Sequence, residues 1–263
     1  GYFMFQQMLK FFKNNKDTTN IGYSQNTSEV SNVSVEECID ETKDYSLYSG
    51  ERQTSNTIDG IRRDHTSRYE LAIDIIRQKK HIIINAADIF CGNGYGIFML
   101  SSEFEQANFI GLDGSSEAIL EANKNYVKEN NIFANKLFPF TLPVNVFDVI
   151  TCFESLEHVD KDEQLFDEIK KSCKKDGLII VSVPNQEKHS LDLNPHKFHF
   201  RHYTHLDFLS KFSDGLELLT WYGQDVYQFD EHGINTHQLL NENAMLPVEK
   251  VQGQVNIYVF QKR

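Results

Sequence analysis

Cysteine is scarce in this chain, and what there is does not pair up. Four cysteines, Cys38, Cys91, Cys152 and Cys173, are spread over 263 residues, and none lies in a Cys-x-x-Cys pair. Three of them sit inside apolar runs that read as core. Buried free thiols in a reducing compartment explain this better than a disulfide framework. Positive charge is short as well: 26 basic against 38 acidic side chains leave a net charge of -12. Partners with a polyphosphate backbone normally need a basic face for counterion release, so no nucleic-acid partner is expected. Long hydrophobic runs are missing too. The apolar, aromatic start, Gly1 to Phe12, is too short to span a bilayer. It also lacks the basic flank and small-residue cleavage site of a signal peptide. No membrane span is expected, and the cytoplasm is the expected location. There is no internal repeat.

What the chain does contain is ample material for a core. Hydrophobic residues make up 40% of it, and 20 Phe and 11 Tyr add bulky core and pocket-lining candidates. The length allows one ordinary domain with appendages, or two small ones. Two compositions meet near residue 45. Asn14 to Glu37 is rich in Asn, Ser, Thr and acids and reads as a flexible or loosely docked arm. Before it, Phe3, Phe5, Met8, Leu9, Phe11 and Phe12 suit a short amphipathic helix. Such a helix could dock on the body or on a second subunit, making a homodimer through the arm one expectation; a mobile terminus is the other. We therefore expect an N-terminal helical or flexible extension over residues 1–45 and a single domain over 46–263. That domain would carry a helical preamble at 46–80 and an insertion on the substrate side at about 186–210.

From about residue 58 the pattern is regular. Tyr69, Leu71, Ala72, Ile75 and Ile76 recur at helical spacing, and Ile82 to Phe90 is a β-branched run ending in glycines. Gly96 to Phe104 reads as helix, Asn108 to Leu112 as strand and Ser116 to Glu129 as helix. Phe147 to Phe153 is a buried strand, Asp162 to Cys173 a helix, and Leu178 to Val183 a strand stopped by Pro184. Strands alternating with helices of this length predict an α/β fold, a Rossmann-like, doubly wound, mostly parallel sheet with helices on both faces. Ligands on such sheets bind beyond the carboxyl ends of the strands, where the strand order reverses.

The first loop at that end is Asp88-Ile89-Phe90-Cys91-Gly92-Asn93-Gly94-Tyr95-Gly96, with a strand before it and a helix after it. Glycines there let a ligand approach the backbone, and the helix amides point at what binds. The second strand ends in Gly111-Leu112-Asp113, where an acid can accept hydrogen bonds from both ribose hydroxyls of an adenosine-type ligand. A turn or N-cap role for Asp113 is the plainer alternative. The dinucleotide fingerprint Gly-x-Gly-x-x-Gly does not fit, because Gly92, Gly94 and Gly96 are spaced two and two. Asp88, an acid at the end of the first strand, is suited to hold an amino group.

These residues resemble class I S-adenosylmethionine-dependent methyltransferases, and within them a branch associated with glycan and secondary-metabolite pathways. The resemblance runs from Tyr48 to Tyr203. It includes Gly50-Glu51-Arg52, His65-x-x-Arg68-Tyr69, the glycine loop and Asp113. It continues through Phe147 to Val159, with Glu154-Ser155-Leu156-Glu157-His158 at its end, then Lys175 to Asn185 and His199-Phe200-Arg201-His202-Tyr203-Thr204. It implies S-adenosyl-L-methionine as cofactor, with Arg68, Tyr69, Asp88, Gly92, Gly94, Gly96, Asp113 and Phe153 as its binding residues. Arg68 would take the carboxylate of the amino-acid end. Two departures stand out. Phe90 replaces the first loop glycine, and the acid that holds the adenine amino group is missing from Asn135-Lys136-Leu137-Phe138-Pro139-Phe140, which leaves a backbone carbonyl or Asn135 for that work.

Methyl transfer from a sulfonium needs alignment, exclusion of water and, for a hydroxyl acceptor, a base. Glu154, His158 and His199 are the catalytic candidates. Glu154 and His158 are four apart and would share a face of one helical turn, with Glu157 pointing away. His199 is the preferred base, titrating near pH 6.5. Arg201 and Tyr203 are the candidate substrate-binding residues. His196, His199, His202 and His205 lie close together, but alternation in an extended segment would split them between two faces. With no acid or cysteine pair nearby, no metal is expected. The reading is therefore an O-directed methyltransferase for a small-molecule acceptor, a sugar, a sugar nucleotide or a related surface-glycan precursor. The rivals are a nicotinamide-dependent oxidoreductase, which would leave Asp88 without a role, and a non-catalytic binding module on the same fold.

Overall fold

The structure is a computed structural model that describes residues 52–79 and 82–263, together with Gln6, Lys10 and Phe11. The arm expected over residues 1–45, and Gly50 and Glu51 of the preamble, lie outside the described residues apart from those three. Phe11 is half-buried and packs on the core of its own chain.

The regular stretch folds as its periodicity requires. Helix α1 (Arg63–Gln78) buries Tyr69, Ala72, Ile75 and Ile76, which recur three and four apart along one face. Strand β1 (Asn85–Ile89) is buried at every position, as a parallel strand covered on both faces must be. Then come α2 (Tyr95–Glu103), β2 (Asn108–Asp113) and α3 (Ser116–Asn125). The Ser115 hydroxyl accepts from the Ala118 amide and starts α3. Strand β3 (Asn131–Asn135), β4 (Phe147–Phe153), α4 (Asp162–Ser172) and β5 (Cys173–Pro184) complete the parallel part. Helix α4 has Asp162 and Glu163 in its first turn and Lys170 and Lys171 in its last, charges that suit the helix dipole.

The remainder is antiparallel. It contains α5 (His205–Phe212), β6 (Leu216–Gln224), the hairpin β7 (Tyr227–Phe229) and β8 (Asn235–Leu239), the short β9 (Val248–Glu249) and β10 (Val255–Lys262). The eight-stranded sheet has the order β3-β2-β1-β4-β5-β10-β6-β9. β10 runs antiparallel to both its neighbours, while β1 to β5 are parallel. Side chains alternate across this sheet, so Ala87, Ile89, Ile110, Ile150 and Val181 fill one core. Ala86, Phe109, Val149, Ile180 and Ile257 fill the other. Cys91, Cys152 and Cys173 are buried and free. Among the described residues no helix is long and apolar enough to cross a membrane.

The consequence for function is positional. β2 and β4 flank β1, and the chain order reverses there. The segments leaving β1, β2, β3 and β4 therefore converge on one crevice.

Candidate functional site

That crevice is a cavity of about 640 Å³, lined from four strand ends by residues that include Phe90, Gly92, Asp113, Leu137, Phe138, Phe153 and Glu154. The preamble closes one side with Arg52, His65, Arg68 and Tyr69, and the segment after β5 closes another with Lys197, His199 and Phe200. Its volume falls in the range that holds a ligand of nucleoside size and larger.

Asp113, at the end of β2, lines the cavity although only 1% exposed. Its Oδ1 accepts from the Ser115 amide (2.8 Å) and from Arg52 (3.1 Å), and its Oδ2 accepts from the Gly92 amide (2.9 Å). These bonds fix the carboxylate, and Oδ2 retains acceptor capacity for a further donor. Beside it lies an apolar wall of Phe90, Leu137, Phe138 and Pro139. Asn135 is not part of that wall; its side-chain amide donates to the Asp113 carbonyl (2.9 Å). The adenine-side role considered for it is spent on holding the β2 and β3 ends together.

The glycine loop divides its labour. Gly92 lines the cavity at φ +57°, and a Cβ built there meets nothing within 4 Å. Gly94 has φ +90°, and its Cβ would lie 2.6 Å from the Phe133 ring and 2.8 Å from Ala122. A Cβ on Gly96 would run into the Tyr69 ring at 2.0 Å. Gly94 and Gly96 thus serve close packing inside the protein, and only Gly92 of the three faces the ligand space. Phe90, where the family pattern has glycine, holds the left-handed φ of +60°. The backbone keeps the shape that glycine ordinarily supplies, and the ring stands against Phe140 with centroids 6.3 Å apart.

Asp88 is one layer behind the wall rather than on it. Tyr69 donates to Oδ2 (2.8 Å) and Thr151 to Oδ1 (2.6 Å). Burial pushes its pKa up to about 7, against the lowering effect of these two donors. The amino-group contact expected of Asp88 would have to pass through Tyr69, whose ring lines the cavity against Phe153 with centroids 4.9 Å apart.

Arg68 is 3% exposed and lines the cavity with its guanidinium fixed, Nε to Gln224 (2.8 Å) and Nη2 to Asp64 (3.2 Å). Across the same end, Glu154 sits in a left-handed conformation at φ +46°. Its Oε1 is buried with no hydrogen-bond partner among the described residues. Burial raises its pKa, and Arg68 is the strongest charge opposing that rise. Glu154 and His158 do not share a helical face, because β4 runs to Phe153 and only a short 3₁₀ turn, Leu156–His158, follows.

That turn brings Glu157 and His158 together instead. Glu157, expected to point away, is fully buried with Oε1 3.8 Å from His158 Nε2. The segment after β5 is a compact turn rather than an extended strand, so the histidines do not split between two faces. The rings of His196 and His199 lie 3.8 Å apart, His199 and His158 4.6 Å, and His199 Nδ1 is 2.7 Å from His202 Nε2. His205 is elsewhere, at the start of α5 against Trp221 and Tyr258. Burial lowers His158 to about 4, and burial with the neighbouring histidines lowers His199 much further, so the titration expected near 6.5 is displaced.

Arg201 and Tyr203 do not reach the cavity. Arg201 donates to the Val159 and Asp160 carbonyls (2.7 and 2.9 Å) and pairs with Asp162. The Tyr203 hydroxyl donates to Asp162 (2.7 Å) from within the core. Both bind the acceptor-side segment to the chain after β4. Sequence reasoning missed the wall residues Leu137 and Phe138, named Arg52 only as part of the preamble, and turned Glu157 away from His158. Glu157 was visible as an acid next to His158, but the 3₁₀ turn that inverts its direction was not.

With this geometry in view, residues 87–181 match a family described as "Methyltransferase domain". Over 104 residues the chain is 29% identical to a ubiquinone biosynthesis O-methyltransferase of Rickettsia akari; the stretch is 38% of this chain and 40% of that protein. It therefore spans well under two thirds of that relative. A Clostridium acetobutylicum S-adenosylmethionine-dependent methyltransferase superposes with a TM-score of 0.54 at 16% identity, covering 75% of this chain and 91% of that one. The plantazolicin methyltransferase BpumL, solved with a substrate analogue and S-adenosylhomocysteine, gives 0.53 at 15%, covering 76% and 84%. The chain thus has the Rossmann-like fold that these methyltransferases share, and its central residues 87–181 resemble a methyltransferase domain.

Proposed function

We propose that the protein is an S-adenosylmethionine-dependent methyltransferase acting on a small-molecule hydroxyl. The observation that carries this reading is Asp113. A fixed, buried carboxylate at the end of β2 opens beside the apolar wall of Phe90, Leu137 and Phe138. That pairing suits a ribose with its base, and the donor set at the other end suits an amino acid. Arg68 faces a carboxylate there by a charge-assisted contact. Glu154, with a buried oxygen in need of a donor, faces an ammonium. Tyr69 and Phe153 lie between the two ends, where aromatic faces favour a cation.

The cofactor supplies an electrophilic methyl group on a sulfonium. The chain's own residues align the acceptor and exclude water. His158, His199, Phe198 and Phe200 close the acceptor side, and Lys161 and Lys197 line its rim, which favours an acceptor carrying an anionic group. That agrees with a sugar nucleotide among the acceptors read from the sequence. The hydroxyl is activated at His158 and His199, whose imidazoles burial holds neutral at pH 7. Phe11 packs on its own chain, which supports docking of the arm on the body, and sedimentation tests the alternative of a homodimer.

Calorimetric titration with S-adenosylhomocysteine and with NAD tests the assignment. Low-micromolar or tighter binding of the first and none of the second is expected. Binding of NAD alone refutes it, and binding of neither leaves a scaffold without this activity.

A further inference from the structure

The geometry points to a divalent transition-metal site formed by Glu157, His158 and His199 at the acceptor side of the cavity. One ligand atom from each lies within 4.8 Å of the other two. In a bound site, ligands about 2.0–2.2 Å from the ion are roughly 3.3 Å apart. A modest contraction about the ion would therefore close it.

The hydrogen bonds around these histidines prepare both for ligation. A carbonyl oxygen can only accept, so His158 Nδ1, 3.2 Å from the Phe198 carbonyl, carries the proton. Its Nε2, the atom facing Glu157 Oε1, keeps the lone pair. The same logic runs through two rings for His199. His202 Nδ1 lies 2.6 Å from the His189 carbonyl and donates to it. Neutral His202 then accepts at Nε2, so His199 Nδ1, 2.7 Å away, is the donor. His199 Nε2 is left with the lone pair. Anchoring the outer imidazole nitrogen on a carbonyl or a second group is what metal-bound histidines show, and it fixes tautomer and ring orientation together.

The donor set is two neutral imidazole nitrogens and one buried carboxylate. It suits zinc, manganese or iron(II) better than calcium or magnesium, which prefer all-oxygen cages. Three protein ligands leave positions open toward the cavity that His158 and His199 line.

This deepens the proposed function and rests on it for its chemical consequence. An ion there lowers the pKa of an acceptor hydroxyl, so the hydroxyl proton leaves to bulk solvent as the acceptor enters, before water is excluded, and His158 and His199 activate the hydroxyl as ligands of the ion rather than as proton acceptors. The acceptor oxygen forms its bond to the methyl carbon as the carbon–sulfur bond breaks, and that electron pair remains on sulfur as a neutral thioether.

The test is titration of chelator-treated, dialysed protein with Zn²⁺ and with Mn²⁺, followed by calorimetry and metal analysis. One equivalent per chain is expected. His199→Ala and Glu157→Gln should each weaken binding by more than the 10–100-fold typical of losing an outer partner. His202→Phe, which removes such an outer partner, should fall within that range. S-adenosylhomocysteine affinity, measured on every variant, reports folding and should hold steady. Absence of stoichiometric binding, or equal affinity in wild type and His199→Ala with the cofactor product still bound, overturns the site. Metal binding without binding of S-adenosylhomocysteine would uphold the site and refute the function proposed above.

Discussion

Replacing Asp88 with asparagine puts the balance at the centre of the sheet under direct test. Its two oxygens accept from Tyr69 and Thr151, bonds that favour the charged form. Burial at 1% exposure acts the other way and dominates, raising the pKa from 3.8 to about 7. The folded state therefore holds this proton where the unfolded chain releases it. At about 1.4 kcal/mol per pKa unit, up to about 4 kcal/mol of stability is fully present below pH 4 and lost as pH rises to about 7. His65, buried and lowered to about 3, works in the opposite sense, since its contribution is lost as pH falls below about 6.5. The wild-type profile mixes the two, so the informative quantity is the difference between wild type and Asp88→Asn. Urea unfolding at pH 5 and pH 8 should show that difference shifting by about 3 kcal/mol in favour of the variant at the higher pH. A difference that stays constant between the two pH values means that Asp88 is ionised throughout and that the two hydroxyl donors outweigh burial.

The other perturbations separate cavity-facing residues from those behind them. Gly94→Ala forces a Cβ to within 2.6 Å of Phe133 at φ +90° and should destabilise by well over about 1 kcal/mol, seen as a lower melting temperature. Gly92→Ala meets no atom within 4 Å, so only the strain of a side chain at φ +57° remains; it should cost about 1 kcal/mol, a few degrees of melting temperature, while weakening S-adenosylhomocysteine in calorimetry. Asp113→Ala should weaken the same ligand by about 1.5–3 kcal/mol; unchanged affinity removes Asp113 from the site. Arg201→Ala leaves the Val159 and Asp160 carbonyls without their donor and should cost about 1–3 kcal/mol of stability with cofactor affinity unchanged. A normal melting temperature with a raised KM for the acceptor would restore the substrate contact read from the sequence.

Much of the parallel sheet was legible because its strands are buried apolar runs and most of its helices are amphipathic, although β3 (Asn131–Asn135) was not read as a strand. The strand over Phe147–Phe153 and the helix beginning at Asp162 fall where periodicity put them. Asp113 could be brought to the cavity because a strand end sets its position, and Arg68 because the resemblance extends through the preamble. What failed were directions set by single turns. Gly94 and Gly96 resemble ligand contacts in a pattern, yet the residues they meet, Phe133 and Tyr69, come from β3 and α1. Glu154, Glu157 and His158 were arranged as a helix, and a left-handed residue followed by a 3₁₀ turn reverses which acid joins the histidine. The histidines after β5 were spread along a strand, whereas the segment folds back through His199 and His202. Such turns depend on tertiary contacts, here the Phe200 amide donating to the Glu157 carbonyl (2.8 Å), that no local spacing encodes.

Phe90 allows the family's glycine to be weighed against the residue this chain carries. Its backbone at φ +60° is a conformation in which a side chain costs roughly 1 kcal/mol or more relative to glycine. Its ring, however, lines the cavity half-buried against Phe140, and loss of a half-buried aromatic costs about 2 kcal/mol. The two contributions separate with a pair of variants. Phe90→Ala removes the ring and keeps the strain, while Phe90→Gly removes both. Phe90→Gly should therefore be more stable than Phe90→Ala by about 1 kcal/mol in urea unfolding, though less stable than wild type. If the ring forms part of the nucleoside wall, both variants should weaken S-adenosylhomocysteine by a similar factor, on the order of 10-fold for a lost stacking face. If instead the ring only keeps the ligand from the backbone, Phe90→Gly should bind more tightly than wild type. Calorimetry on the pair decides between them, and tighter binding by Phe90→Gly would remove the ring from the wall and restore the glycine pattern as the better site.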